Sequence, residues 1–121
     1  MKIYESGENY LETILLLSKK KGSVRSVDIA NELEYTKPSV SRAMRILKEA
    51  DLIVVEKNGN ILLTEAGLNK AQKIYERHQI ITQFLIEVLN VSIETAEKDA
   101  CKIEHIISDE TFNKIKEKLN N

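Results

Sequence analysis

The chain has 121 residues, of which 42% are hydrophobic and 31% are charged, and this composition fits one globular domain or one domain with a small appendage. No apolar run is long enough to span a membrane and no basic leader precedes an apolar segment, so we expect no membrane association and a cytoplasmic location. The single cysteine excludes an internal disulfide and leaves an inert core residue, a reactive thiol or a metal ligand.

Charge is distributed unevenly along the chain, although the formal net charge is only −1. Between Lys19 and Lys57 there are nine basic and six acidic residues, whereas from Asn58 onward there are eight basic and ten acidic residues. The first part therefore carries the positive field that suits a phosphate backbone, and the second part carries carboxylates for cations.

Hydrophobic periodicity predicts three helices in the first fifty residues. The first covers residues 4–19, and a short second helix covers residues 27–33 with Ser26 as its N-cap. After a brief turn, Thr36 is predicted to cap a third helix that runs to about Ala50. Two helices joined by so short a turn are predicted to form a helix-turn-helix.

A β-hairpin is predicted directly after the helix-turn-helix. The β-rich runs at residues 53–56 and 61–63 flank Asn58-Gly59, a strong hairpin signal because both residues of such a turn must tolerate positive φ. A helix-turn-helix followed by a hairpin is a winged helix. The predicted fold class is therefore mainly α, with a winged helix-turn-helix, a small hairpin wing and a helical second domain.

The outward side of the third helix carries small hydroxyl groups near its start and guanidinium groups behind them. These groups suit base edges and phosphates when the start of a recognition helix enters the major groove, and a lysine at the wing tip suits a backbone contact. A solvated helix in a bundle is the alternative. The predicted DNA-contacting residues are Arg25, Ser26, Thr36, Lys37, Pro38, Ser39, Ser41, Arg42, Arg45 and Lys57.

A long helix is predicted over residues 65–89, with Thr64 as its cap, so that the chain divides into residues 1–64 and 65–121. One face of this helix forms a seam of residues spaced three and four apart, Ala71, Ile74, His78, Ile81, Leu85 and Val88. His78 is therefore either a hydrogen-bonded core histidine or a metal ligand. Serines at positions 92 and 108 are predicted to cap two further helices.

Four potential metal ligands share one face of the helix that follows Ser92. Glu97, Cys101, Glu104 and His105 fall within an arc of about 100° at 100° per residue. The neighbouring apolar stripe consists of Ile93, Ala96, Ala100, Ile103 and Ile107. Carboxylates at the edge of a buried seam repel each other, and a divalent cation would neutralise them. The alternative is an exposed polar face with one ordinary buried cysteine.

This order of elements resembles the iron-dependent repressor family, of the diphtheria toxin repressor and manganese transport regulator type, across nearly the whole chain. Residues 99–110 are similar to the family's Cys-x-x-Glu-His-x-x-Ser-Asp-Glu motif, and residues 8–12 are similar to its first-helix motif. Arg77-His78 falls where a ligand histidine is expected. The resemblance implies a homodimeric, metal-activated repressor of metal-homeostasis genes that binds palindromic double-stranded operator DNA and is not an enzyme.

The resemblance also implies a set of metal ligands, namely Cys101, Glu104, His105, His78, Glu12, Glu97 and Asn9. Glu97 stands where an iron-type member has a histidine, and Glu12 matches a glutamate of the manganese type. Asn9 differs from the Met or Asp of either type, and Thr82 replaces an expected acid. The resemblance therefore leaves open whether one or two metals bind each subunit.

The thiol of Cys101 favours Fe(II), Co(II), Ni(II) or Zn(II) over Mn(II), so Fe(II) is the expected physiological ion, with Zn, Co or Ni as surrogates. Mn(II) is the alternative because Glu12, Glu97 and Glu104 supply oxygen ligands. A metal-independent winged-helix regulator that senses a small ligand or thiol oxidation is a further alternative. A metallohydrolase with Glu104 as base is disfavoured, since no nucleophile, second catalytic acid or phosphate loop accompanies the cluster.

Overall fold

The computed structural model describes residues 5–120, with side chains from residue 7 onward, so the predicted helix start at Tyr4 lies outside the described residues. Within this range the elements are α1 (Glu5–Lys21), α2 (Ser26–Leu33), α3 (Lys37–Glu49), β1 (Ile53–Val55), β2 (Ile61–Leu63), α4 (Glu65–Glu87), α5 (Ile93–Ile103) and α6 (Asp109–Leu119). Two compact units, Met1–Gln72 and Lys73–Asn121, divide the chain within α4. None of the described helices is both long and apolar enough to cross a membrane.

The amino-terminal unit is the predicted winged helix. Side chains from α1, α2, α3, both strands and the segment before α2 form its core. The most deeply buried of them are Leu11, Ile14, Val24, Ile29, Val40, Leu47, Ile53 and Ile61. The hydroxyl of Thr36 caps α3 as predicted, because its Oγ1 accepts a hydrogen bond of 3.3 Å from the backbone N–H of Ser39.

The predicted N-cap of α2 is wrong by one residue. Ser26 is the first residue of the helix, and Arg25 occupies the capping position with extended backbone angles. The backbone N–H of Arg25 donates to the carboxylate of Asp28 at 2.9 Å, so an acid in the first turn satisfies the group before the helix. At the other end, Glu34 adopts the left-handed conformation, with φ of 57°, and ends α2.

The wing has a longer loop than the predicted Asn-Gly turn. Val55 pairs with Ile61, and the backbone N–H of Glu56 donates to the carbonyl of Asn60, which leaves a three-residue loop over residues 57–59. Only Gly59 has positive φ, whereas Asn58 uses its side-chain oxygen to accept from the N–H of Asn60 at 2.9 Å. The amide side chain therefore stabilises the loop without needing the left-handed conformation.

Thr64 fastens the base of the wing to the start of α4. Its Oγ1 accepts from the backbone N–H of Gly67 at 3.1 Å and donates to the carbonyl of Asp51 at 2.7 Å. Gly67 lies so close to the segment before β1 that a Cβ built on it would stand 1.9 Å from the carbonyl oxygen of Leu52. The wing and α4 are thus joined through backbone contacts that only a glycine permits at this position.

The carboxy-terminal unit has a separate core made by the second half of α4, α5 and α6. Its buried members are Ile81, Leu85, Ala96, Ala100 and Phe112. Serines 92 and 108 cap α5 and α6 as predicted, with hydrogen bonds of 3.2 and 3.1 Å from the third residue of each helix.

Two helix ends in this unit differ from the prediction, the end of α4 and the end of α5. The helix α4 stops at Glu87 because Asn90 adopts φ of 59° and the N–H of Val91 bonds to the carbonyl of Leu85. Val88 therefore leaves the predicted seam and is 41% exposed, and Ile93 at the start of α5 is 65% exposed. The helix α5 ends at Ile103 and does not continue to residue 107.

We expect Gly67→Ala to lower the free energy of unfolding by about 1–2 kcal/mol. Forcing an extra group into a packed site costs about 1–3 kcal/mol, and a clash with backbone puts this cost at the upper end, whereas helix propensity returns about 1 kcal/mol. Urea unfolding followed by circular dichroism measures the change. Asn69→Ala, at an exposed position of the same helix, is the control, and equal stability of the two variants would contradict the prediction.

Candidate metal centre

Four of the predicted ligands meet within the carboxy-terminal unit. His78 comes from α4, Cys101 comes from α5, and Glu104 and His105 come from the turn that follows α5. The Nδ1 atom of His78 lies 2.8 Å from Oε2 of Glu104 and 3.8 Å from the Sγ atom of Cys101. The Nε2 atom of His105 lies 3.3 Å from the other carboxylate oxygen, Oε1 of Glu104.

Glu104 is the buried centre of this group. Its side chain is 0% exposed, and its two oxygens face two different histidines. The Oε1 atom makes no hydrogen bond with any residue that the structure describes. Because a buried carboxylate is costly without a compensating charge or hydrogen bond, and because nitrogen, sulfur and oxygen donors converge on it, these residues fit a divalent metal ion.

The group also changes the acid–base behaviour of His78. Hydrogen bonding to Cys101 first, and then to Glu104, raises the pKa of His78 from 6.5 to about 10, although burial of the ring opposes the shift. Without a metal, the imidazole is therefore protonated at neutral pH and serves as the positive partner of Glu104. A metal that binds Nδ1 must displace this proton.

The stability of the metal-free protein should report this shift. A histidine whose folded pKa is raised stabilises the fold fully below its unfolded pKa of 6.5, and this contribution is lost as the pH rises through about 10. We therefore expect the difference in free energy of unfolding between wild type and His78→Gln to be constant below pH 6.5 and to shrink between pH 6.5 and 10. Urea unfolding of chelator-treated protein measures it, and a pH-independent difference would refute the assignment.

The predicted continuous ligand face of α5 is wrong, because the helix tightens into a turn before the ligands end. The N–H of His105 bonds to the carbonyl of Lys102, and that of Ile106 bonds to Ile103, each spanning three residues. The turn buries Glu104, whereas Glu97 and Cys101 remain exposed on the helix. The sequence spacing of Cys101, Glu104 and His105 therefore indicates that they lie near each other, but it does not indicate the turn after α5 that brings them together.

The remaining predicted ligands lie apart from these four or in the other unit. Glu97 makes no hydrogen bond or ion pair with any described residue, and it lies exposed on α5 one turn before Cys101. Asn9 and Glu12 lie on α1 in the amino-terminal unit, where Asn9 is half-buried and Glu12 is buried. Thr82, on α4, has a buried hydroxyl without a hydrogen-bond partner in the described part of the chain.

Arg77 has a role that the sequence analysis missed. Its guanidinium donates to two backbone carbonyls of the ligand-bearing turn and to the carboxylate of Asp109, and it lies 5.1 Å from the centre of the Phe112 ring. The only signal in the sequence was the acid at the start of α6, because a buried or half-buried arginine needs a carboxylate partner.

The predicted DNA-contacting residues lie in the winged helix, and most of them are exposed. The exposed ones are Arg25, Thr36, Lys37, Pro38, Ser41, Arg42, Arg45 and Lys57. Ser26 and Ser39 are half-buried, and the hydroxyl of Thr36 donates to Oγ of Ser39 at 2.9 Å. The hydroxyls of Thr36 and Ser39 therefore contribute to capping α3, whereas the side chains of Arg42 and Arg45 on the same helix are exposed to solvent.

A winged helix joined to a helical unit with a candidate metal centre defines a metal-binding transcriptional regulator. Two family models cover nearly all of the chain. The iron dependent repressor N-terminal DNA binding domain matches residues 2–61, and the iron dependent repressor metal binding and dimerisation domain matches residues 64–121. The chain belongs to the iron-dependent repressor family. This finding confirms the predicted family and the prediction that its members are transcriptional regulators and not enzymes.

Curated relatives agree with this assignment. The chain is 34% identical over 113 residues to an uncharacterised helix-turn-helix regulator of Methanocaldococcus jannaschii, covering 93% of this chain and 90% of that protein. It is 38% identical over 106 residues to the transcriptional regulator MntR of Escherichia coli, covering 88% and 68% respectively. It is 26% identical to the diphtheria toxin repressor of Corynebacterium diphtheriae, covering 93% of this chain and 50% of that protein.

Solved structures confirm the winged-helix and helical-domain fold. The manganese regulator SloR superposes with a TM-score of 0.84 at 29% identity, covering 99% of this chain and 55% of that one. ScaR with bound Zn²⁺ superposes with a TM-score of 0.80 at 27% identity, covering 94% and 53%. The chain thus spans about half the length of these two structures.

Proposed function

We propose that this protein represses transcription as a homodimer, and that an ion bound by Cys101, Glu104, His105 and His78 activates it. The observation that carries the proposal is the buried carboxylate of Glu104 between two imidazoles, in the part of the chain that matches the family's metal binding domain. A bound divalent ion would supply the positive charge that this carboxylate otherwise obtains from the protonated His78.

The residues at the centre come from three separate segments, α4, α5 and the turn after α5. We propose that the ion holds these segments in one arrangement, and that Glu12 on α1 completes the set, as the family resemblance implies. Asn9 and Glu97 remain proposed additional ligands. Dimeric regulators read successive major grooves when their recognition helices are held about 34 Å apart, so restricting the motion of the winged helices would raise operator affinity.

The proposed activating ion is Fe(II), with Mn(II) as the alternative. Cys101 is exposed on α5 with its sulfur 3.8 Å from Nδ1 of His78, and a thiolate in the ligand set favours Fe(II) over Mn(II). The carboxylates of Glu104 and Glu12 suit Mn(II), and SloR is described as a manganese regulator. Anaerobic titrations of both ions against operator affinity would decide between them.

The proposed dimer contact lies on the carboxy-terminal unit. Four large apolar side chains between residues 88 and 106, namely Val88, Leu89, Ile93 and Ile106, have exposed fractions of 41% to 70%. Exposed large apolar side chains are candidates for an interaction surface, and the matched family domain is described as one of dimerisation. A second copy of this chain is therefore the proposed partner of this surface.

We expect Glu104→Gln to abolish the metal dependence of DNA binding while the winged helix stays folded, because the variant lacks the only fully buried negative charge of the centre. Fluorescence anisotropy with genomic promoter fragments, with Fe(II), Mn(II) or chelator present, measures operator affinity. His105→Ala should behave in the same way.

Glu94→Gln is the matched control, since Glu94 is exposed on α5 and pairs only with Lys98 among the described residues. Operator affinity that is unchanged in His105→Ala would count against the proposal. Wild-type binding that survives chelator, yet is lost on mild oxidation, would favour a thiol-sensing regulator instead.

The recognition helix α3 should supply the DNA contacts. Arg42 and Arg45 are exposed on α3, and we expect alanine at either position to weaken operator binding by about 1–3 kcal/mol if the arginine reads a base. A phosphate contact would instead weaken binding to all sequences and reduce the salt dependence by about one charge. Anisotropy titrations at several salt concentrations distinguish the two, with Lys118→Ala in the other unit as control, and wild-type affinity in both arginine variants would exclude α3 as the reading helix.

A further inference from the structure

Arg77 contacts the ligand-bearing turn at two points that bracket His105. Its Nη1 donates to the backbone carbonyl of Glu104 at 3.3 Å and to that of Ile107 at 3.1 Å. These carbonyls follow the end of α5, where the helical pattern of hydrogen bonds stops and carbonyls need other donors. The guanidinium therefore replaces the missing helical donors in the segment that carries two of the proposed ligands.

The same guanidinium is held in place from the opposite side. Its Nη2 pairs with the carboxylate of Asp109, the first residue of α6, and its Cζ atom lies 5.1 Å from the ring centre of the buried Phe112. Asp109 is 90% exposed, so its charge is screened, whereas Arg77 is only 21% exposed. The bonds to the turn and the ring contact are thus the better shielded part of this arrangement.

We propose that Arg77 is a positioning residue for the metal centre, and that it sets the distance between His78 and the turn that carries Glu104 and His105. Arg77 precedes His78 in α4, so one helical segment both supplies a ligand and holds the turn that supplies two more. This inference deepens the proposed function and rests on it. It assigns a role to Arg77 and to Asp109, neither of which is a ligand.

The geometry requires arginine at this position and not merely a positive charge. Two nitrogen atoms of one planar group reach three acceptors that lie in different directions, and this fork cannot be reproduced by the single ammonium of lysine. Residues that orient metal ligands from outside the ligand set change metal affinity by about 10- to 100-fold when they are replaced.

The test compares four full-length variants with wild type: Arg77→Met, Arg77→Lys, Asp109→Asn and, as control, Lys73→Met. Lys73 is exposed on α4 one turn before Arg77, so its loss removes a charge from the same helix without touching the turn. The dissociation constants for Co(II) and Mn(II) are measured by titration, the visible absorption of the Co(II) form reports coordination, and circular dichroism reports folding.

We expect Arg77→Met to raise both metal dissociation constants by about 10-fold or more and to alter the Co(II) spectrum at saturation. Arg77→Lys should recover only part of the affinity, Asp109→Asn should lose less than Arg77→Met, and Lys73→Met should match wild type. Saturating metal should restore operator binding to Arg77→Met, because all of its ligands remain.

Wild-type metal affinity and an unchanged Co(II) spectrum in Arg77→Met would overturn the inference while leaving the proposed function intact. Should Arg77→Met fail to fold, Arg77→Lys and Asp109→Asn decide, and wild-type metal affinity in both would also overturn it. By contrast, wild-type protein that binds no Co(II) or Mn(II), or binds operator equally with and without metal, would contradict the proposed function itself.

Discussion

The carboxy-terminal unit depends on one electrostatic problem, the burial of the Glu104 carboxylate. Its side chain is 0% exposed, and its oxygens face His78 and His105. A buried charge persists only where the surroundings compensate it. Without a metal, the raised pKa of His78 provides that compensation through a proton, and a bound cation would provide it through its own charge. The centre therefore has two ways to neutralise one carboxylate, and exchange between proton and metal links its occupancy to pH.

The two units are built on different principles. The winged helix has a small apolar core, and short polar side chains fix its loops. Thr64 and Asn58, for example, accept hydrogen bonds from neighbouring backbone N–H groups. The carboxy-terminal unit instead depends on Arg77, which satisfies carbonyls that its interrupted helix leaves without donors. A winged helix with an apolar core and a second unit with a buried charged centre suit the proposed regulator, whose DNA affinity would follow the binding of an ion.

Local patterns in the sequence were sufficient for the elements and for the fold class. Apolar spacing indicated the first five described helices, and the Ser108 cap indicated the sixth. Capping by Thr36, Ser92 and Ser108 is present as predicted, because these interactions involve residues within a few positions of each other. Helical periodicity pointed to Glu97, Cys101, Glu104 and His105 as potential ligands, and the family resemblance added His78, Glu12 and Asn9. The errors lie at helix ends such as Ser26 and Ile103, where one side-chain hydrogen bond or a change of hydrogen-bond spacing decides the boundary.

The sequence by itself determined which residue types are available to a metal and that an α-helical seam would carry some of them. Only the tertiary structure decided that Glu104 turns inward while Cys101 and Glu97 stay exposed, and that Arg77 from α4 holds the turn between α5 and α6. The physical reason is distance along the chain. Contacts between residues 77 and 104 to 109 depend on how three helices pack, and helical periodicity carries no information about that packing.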